Sequence, residues 1–291
     1  MQETINSEKL YKTILTIFFF FFSIIMMFPF IIMIVTSLKT PVELTNPIFS
    51  LIPKSWAFNN YPKALSRGMW GRWFFNSAYV TFVVTAISLL FNSMAGYSFA
   101  RLSFKGSKII FMIMMIGLMM PIQVTMVPTF FVMKFAPLIG GNNIIGKGGT
   151  GFLNTYAGLM LNGLAGSFGV FLCRQFYLNF PSSLDDAAEI DGCSPFKRYL
   201  LIYIPLSKPI LASLGVLKIA YTWNDYIWPL IITSSEKMRT VQLGLTIYKA
   251  EHVEWELLMA ANIVVSLPLI IIFLAAQNFF IQGLMTTGIK S

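Results

Sequence analysis

Polar and aromatic residues recur along one apolar stretch in the last third of the chain: Lys218, Tyr221, Asn224, Asp225 and Trp228. Their spacing predicts that they share one face of an α-helix. Lys218 and Asp225 would lie about 10 Å apart along such a helix, too far to pair with each other. Ionisable groups inside a membrane usually face the protein interior or a watery cavity. Aromatic rings beside amide and carboxylate groups suit a sugar, so this stripe is predicted to line a substrate pathway.

The same residues allow a second interpretation. Asn224 and Asp225 could hold neighbouring helices together through hydrogen bonds, while the tryptophans sit in an aromatic belt at the membrane surface. Both interpretations require that this part of the chain lies in a membrane.

A polar segment, residues 181–209, precedes this stripe and follows another apolar stretch. Its charged groups are costly in hydrocarbon, so it must lie in water or dock on a protein. Ser182 or Ser183 is predicted to cap a helix, with Asp185 and Asp186 in its first turn, where negative charge suits the helix dipole.

The end of this short helix is also marked. Gly192 is predicted to end it, because glycine accepts the left-handed conformation of a C-terminal cap. Ser194-Pro195 then predicts a second helix start, with proline at the first helical position. The segment should therefore contain two short helices joined by a sharp bend.

Composition identifies an integral membrane protein. Of the 291 residues, 56% are hydrophobic and 11% are charged, and the mean hydropathy is +0.70. Soluble domains carry roughly a quarter charged residues. The net charge of +9 is scattered among loops and forms no stripe, which argues against a nucleic-acid partner.

The hydropathy pattern predicts an all-α membrane protein with six transmembrane helices. The first stretch is too long for a signal peptide and is not followed by a small-residue cleavage site. Proline is predicted to kink the third span at Pro121 and Pro128 and the sixth at Pro268. The predicted spans are Ile14–Val35, Ser77–Gly96, Ile109–Met133, Leu153–Cys173, Ile210–Ile232 and Met259–Phe280.

Charge alone does not orient the chain. If both termini are cytoplasmic, the basic residues divide equally between the two sides. The short 99–108 loop is the exception, since it carries three basic residues and no acid on the side that would be cytoplasmic.

Catalytic and metal-binding residues are not predicted. The chain lacks the GxxxxGK[ST] loop that cradles phosphates, so energy from ATP would have to come from another subunit. Cys173 and Cys193 have no ligand-like spacing, and His252 is the single histidine, so a zinc site is not expected.

Residues 186–192 read Asp-Ala-Ala-Glu-Ile-Asp-Gly, and Ile204-Pro205 follows downstream. This pattern resembles the EAA loop of binding-protein-dependent ABC importer permeases, although aspartate stands at 186 where the family usually has glutamate. Further likeness, from about residue 36 to 290, is to the MalG-like branch of sugar importer permeases. It includes the S-x-K-T-x-x-E pattern after the first span and Trp223–Leu230 in the fifth.

The resemblance implies a fold and a set of partners. It implies one MetI-like permease domain over residues 1–291, with both termini cytoplasmic and a cytoplasmic coupling helix between spans four and five. The implied partners are a second, MalF-like permease, two ATPase subunits that hold ATP and Mg, an extracytoplasmic solute-binding protein, a sugar and membrane lipid. The ATPase-coupling residues implied are Asp185, Asp186, Ala187, Ala188, Glu189, Asp191 and Gly192.

In this interpretation, the outer segments 38–72 and 234–258 help to receive the binding protein. Sugars of several sizes and glycerol phosphate remain possible substrates. Two rival classes are weighed. A secondary transporter could use Lys218 and Asp225 for ion coupling, but it would usually show two related halves and broken helices in matching positions, and neither is evident from the sequence. The second rival is a membrane enzyme or structural scaffold, but the sequence offers no nucleophile, metal or acid–base set, which counts against an enzyme.

Overall fold

The computed structural model describes residues 2–46, 50–249 and 252–288, with side chains within Leu10–Gln277. Residues 47–49 and 250–251 of the predicted outer segments, and both extreme termini, lie outside the described residues. The described chain folds into helices and connecting loops without a β-strand, and it divides into two compact units. The first comprises Met1–Gly68 and Leu245–Ser266, and the second Met69–Gly244 and Leu267–Ser291.

The helices follow in chain order. They are α1 (Gln2–Ser37), α2 (Pro41–Leu44), α3 (Asn60–Ser66), α4 (Trp70–Arg101), α5 (Ser107–Met119), α6 (Ile122–Lys134), α7 (Tyr156–Leu161), α8 (Ser167–Leu178), α9 (Ser183–Ile190), α10 (Pro195–Arg198), α11 (Ile204–Leu206), α12 (Lys208–Trp223), α13 (Ile227–Ile232), α14 (Val241–Gly244) and α15 (Trp255–Gly288). A π-helical turn, Tyr199–Tyr203, joins α10 to α11, and 3₁₀ turns cover Glu236–Met238 and Leu245–Tyr248.

In the first unit, the chain after α1 is held by buried polar groups. The Asn60 side-chain amide donates to the carbonyl oxygens of Ser37 and Lys39, both at 2.8 Å. The buried Lys39 donates to the Ser50 carbonyl, and the Glu43 carboxylate accepts from the Lys54 backbone N–H at 3.1 Å. The residues of the S-x-K-T-x-x-E pattern therefore take part in hydrogen bonds that hold this loop closed.

In the second unit, α4 packs mainly against α8 and α12. The approach to α8 is close at two glycines. A Cβ on Gly96 would lie 2.6 Å from the Cys173 Cβ, and one on Gly169 would lie 2.2 Å from the Asn92 amide nitrogen. Small residues at such positions let membrane helices pack closely.

Three unbroken helical segments of the described chain are long and apolar enough to cross a membrane: Leu10–Ser37, Trp70–Arg101 and Trp255–Gln277. They contain or overlap the first, second and sixth predicted spans. Pro268 lies inside α15.

The other three predicted spans are not single helices, which corrects the expectation of continuous spans. The third consists of α5 and α6, bent by 110° at Met120-Pro121. Proline disfavours helical conformation in the residue before it, and Met120 is extended, with φ −79° and ψ 123°. The expected disruption at Pro121 is therefore a full break, whereas Pro128 lies inside α6.

The fourth and fifth predicted spans are interrupted as well. Between α7 and α8 the chain passes through Asn162–Gly166, where the Gly166 N–H bonds to the Asn92 side chain at 3.1 Å instead of continuing a helix. Between α12 and α13 lie Asn224–Tyr226, where short polar side chains compete for backbone hydrogen bonds. The sequence predicts only proline kinks within continuous spans, whereas three of the predicted spans are broken among the described residues. A further bend of 79° separates Pro195–Leu206 from Lys208–Trp223, before the fifth predicted span.

Candidate functional site

The 181–209 segment forms the two short helices that its sequence predicts. Helix α9 ends at Ile190, and Gly192, two residues beyond, has φ +73°, so that the Cys193 N–H bonds back to the Ala188 carbonyl at 2.8 Å. Helix α10 begins after Ser194, whose side chain accepts from the Lys197 N–H at 3.4 Å. Both local predictions are confirmed.

The start of α9 differs from the prediction in one respect. Ser182 occupies the cap position, but its backbone is helical, with φ −63° and ψ −27°, and its side chain makes no capping hydrogen bond. The Asp185 and Asp186 N–H groups bond instead to the Ser182 carbonyl, at 2.8 and 3.1 Å. The helix therefore begins as a tight backbone turn.

Asp185 is the most connected carboxylate of this segment. Its Oδ2 accepts from the Tyr203 hydroxyl at 2.7 Å and lies 3.4 Å from Arg101 Nη1. Its Oδ1 lies 3.7 Å from Arg198 Nη1, and Arg198 also reaches Glu189 at 3.7 Å. The Asp185 side chain is only 17% exposed. Three side chains thus hold one end of α9.

The predicted coupling residues divide between two faces of α9. Ala188 is buried and Asp185 faces the network described above. The remaining members are exposed: Asp186, Ala187, Glu189, Asp191 and Gly192. They are joined on the outside by Ile190, which is 87% exposed.

A cavity of about 1240 Å³ lies within the second unit. All three helix breaks contribute to its wall, through Met120, Gly166 and Asp225 among others. Irregular backbone at membrane depth is tolerated where it is buried in protein or lines a water-filled cavity. The helix breaks therefore lie where the chain lines the cavity.

The five residues predicted to line a pathway all border this cavity: Lys218, Tyr221, Asn224, Asp225 and Trp228. They do not share one helix face, because α12 ends at Trp223. Ile227, on the opposite side of an ideal helix, also borders the cavity for the same reason, whereas Ile219 is not among the lining residues.

The individual contacts of these five residues differ. Tyr221 is 58% exposed, with the Lys218 ammonium 5.6 Å from its ring centroid. The Asp225 carboxylate accepts from the Trp228 N–H at 3.2 Å, at the start of α13. The Trp228 indole is 6% exposed and donates to the Gly158 carbonyl at 2.9 Å. Trp228 is therefore mainly a packing residue at the rim.

Asn224 combines features of both sequence interpretations. Its amide donates to the Ala220 carbonyl at 3.0 Å, and its oxygen accepts from Gln242 at 2.9 Å. It lines the cavity while connecting two parts of the second unit.

Several residues of both regions are not predicted by the sequence patterns. Arg101 and Arg198 lie in predicted loops, yet both contact Asp185. Asn92, Gln123 and Asn162 line the cavity. The sequence does contain a signal for these three residues, because amide side chains are uncommon inside apolar stretches and usually face other helices or a cavity.

The model of one protein family matches residues 92–286 of the chain, about two-thirds of its length, and its description is "Binding-protein-dependent transport system inner membrane component". The chain belongs to this family. A permease of this family is a membrane transport component, so the importer interpretation is favoured over a secondary transporter.

Relatives agree over almost the full length. The "Arabinooligosaccharides transport system permease protein AraQ" of Bacillus subtilis (strain 168) is 34% identical, covering 96% of each chain. The "sn-glycerol-3-phosphate transport system permease protein UgpE" of Brucella abortus (strain 2308) is 30% identical, covering 91% of this chain and 92% of the relative.

The same fold occurs in a solved structure. A chain of a bacterial ABC transporter involved in the import of the acidic polysaccharide alginate matches with a TM-score of 0.78 and 19% identity, covering 94% of this chain and 98% of the other. This is the all-helical MetI-like permease fold of a multi-pass inner-membrane protein.

Proposed function

We propose that this chain is one of two permease subunits of an ATP-driven importer for a sugar or related polyol, and that the cavity of the second unit is its half of the translocation pathway. The observation that supports this proposal is a cavity lined by charged, amide and aromatic side chains in a chain whose residues 92–286 match a binding-protein-dependent transport component. Broken helices around the cavity also occur in secondary transporters, so the family match and not the breaks favours the importer.

The cavity chemistry suits a polyhydroxylated solute. Lys218 supplies donors, Asp225 supplies acceptors, and the exposed ring of Tyr221 supplies an apolar face for a sugar ring. The named transport relatives carry oligosaccharides and glycerol phosphate, which are solutes of this kind.

The proposed assembly contains a second permease, two ATPase subunits that bind ATP and Mg, and an extracytoplasmic solute-binding protein. The exposed face of α9 would dock in an ATPase subunit as the coupling helix. The chain would then have six spans, three of them broken, in one domain with both termini in the cytoplasm. The outer segments 38–72 and 234–258 would meet the binding protein.

The test is reconstitution. A tagged form of this chain is purified with the products of its neighbouring genes, placed in proteoliposomes and supplied with the binding protein. Uptake of labelled arabino-oligosaccharides, malto-oligosaccharides and glycerol 3-phosphate is measured with ATP and with a non-hydrolysable ATP analogue. We expect uptake of a sugar only with ATP. Uptake driven by a proton or sodium gradient without ATP would overturn the proposal.

A further inference from the structure

Arg101, at the end of α4, binds three different parts of the second unit at once. Its guanidinium donates to the Tyr177 carbonyl, in the last turn of α8, at 3.1 and 2.6 Å, and also to the Phe180 carbonyl just beyond that helix. It lies 3.4 Å from the Asp185 carboxylate on α9, and 5.6 Å above the Tyr203 ring. The side chain is only 11% exposed.

The two helices that Arg101 ties together also form the cavity wall. On α4, Asn92 borders the cavity about 13 Å along the axis from Arg101, by the helical rise. On α8, Phe168 and Gly169 border it near the start of that helix, while Tyr177 lies near its end. The close contacts at Gly96 and Gly169 leave the two helices little room to slide past each other.

We infer that Arg101 is a positioning residue through which movement of α9 reaches the cavity wall. A shift of α9 pulls on Asp185, Asp185 pulls on Arg101, and Arg101 carries α4 and α8 together. Arginine suits this role because its planar guanidinium can bond two carbonyls and a carboxylate at once, whereas lysine presents a single point charge. This inference rests on the proposed function, since it assumes that an ATPase moves α9.

The second arginine of the network provides a matched control. Arg198 approaches the same carboxylate at 3.7 Å, but its other contacts are with Glu189 and the Asp185 carbonyl, all within the 181–209 segment. Removing Arg198 takes a cation from Asp185 without cutting the connection to α4 and α8.

The experiment compares Arg101→Ala, Arg101→Lys and Arg198→Ala in the complete importer in proteoliposomes. Complex assembly, ATP hydrolysis and sugar uptake are measured, and uptake is expressed per ATP hydrolysed. Coupling between sites typically changes a ligand's affinity about 5–150-fold; taking the loss of uptake per ATP to be of the same order, we expect Arg101→Ala to lower it roughly tenfold while the ATPase remains bound. Arg101→Lys should lie between Arg101→Ala and wild type, and Arg198→Ala should have a smaller effect than either.

A double variant tests the pathway itself. If Arg101 acts through Asp185, adding Asp185→Asn to Arg101→Ala should cause little further loss, because the two changes cut the same link. If Arg101→Ala does not assemble, Arg101→Lys decides by its uptake per ATP. Wild-type coupling in the assembled arginine variants would overturn the inference, and so would equal losses in Arg101→Ala and Arg198→Ala. Failure of the wild-type complex to bind an ATPase would instead reject the proposed function.

Discussion

The 181–209 segment and the cavity wall at residues 218–228 follow each other in the chain. Their polar groups differ in how far contacts within the protein occupy them. In the first, Asp185 is held by a tyrosine and two arginines, and both short helices have ordered ends. In the second, Tyr221 is more than half exposed and Lys218 lies over its ring.

This difference fits the two proposed roles. A segment that transmits movement must be stiff, which requires that its inner face is closed by contacts within the protein. A pathway must offer its groups to a passing solute, so they cannot all be occupied by internal contacts.

The exposed face of α9 should be the most sensitive. Asp186→Lys replaces an exposed carboxylate by a cation while leaving the Asp185 network intact. Interface residues of this kind contribute at least 2 kcal/mol when they are hot spots, so transport and ATPase binding should fall by about 30-fold or more. The measurement is ATPase co-purification together with uptake. Lys105→Glu, an exposed change in the neighbouring 99–108 loop, is the control. Normal transport by Asp186→Lys would remove the proposed docking face.

Gly192 should tolerate asparagine but not valine. A Cβ there meets no atom within 4 Å, so the penalty comes from the left-handed backbone and not from a clash. That conformation costs an ordinary residue roughly 1–2 kcal/mol, and we expect about tenfold weaker transport for Gly192→Val. Asparagine adopts the same conformation more readily, so Gly192→Asn should stay close to wild type. Equal activity of the two variants would show that this cap does not matter for coupling.

Asp225 should matter through its charge as well as its capping bond. In Asp225→Asn the new side chain keeps an oxygen that can accept from the Trp228 N–H, whereas in Asp225→Ala that acceptor is lost. Loss of a charged hydrogen bond to solute costs about 1.5–3 kcal/mol, so Asp225→Asn should reduce uptake roughly tenfold with the complex intact. Uptake and complex yield are measured together. A loss of uptake that follows complex yield in both variants would favour the interpretation that Asn224 and Asp225 only hold helices together.

The smallest effect should be at Tyr221. Aromatic contacts contribute about 0.5–1.5 kcal/mol beyond area burial, so Tyr221→Leu should weaken uptake by only about threefold. A cysteine at 221 should react with a small water-soluble thiol reagent in at least one nucleotide state, whereas Ile219→Cys should be protected. The parent chain, with buried Cys173 and partly exposed Cys193, gives the background. Protection of position 221 in every state would separate this wall from the pathway.

Features that depend on a few neighbouring residues follow from the sequence alone. Gly192 ends α9 and Ser194-Pro195 starts α10 because cap and proline geometry are local. The long apolar helices follow from length and hydropathy. The resemblance of residues 186–192 to the EAA loop agrees with the family match over 92–286.

Which polar groups contact each other depends on how the helices pack in three dimensions. The α12 helix stops at Trp223, so the five predicted residues line one cavity without sharing a helix face. Trp228 is buried in an apolar cluster with Val84 and Leu159, and its indole N–H bonds to Gly158, 70 residues earlier. Arg101 contacts Asp185 although 84 positions separate them in the sequence, and no periodic pattern of residue types predicts such a contact. Caps and hydropathy are set by neighbours in the chain, whereas these contacts depend on helix packing and on where each helix breaks.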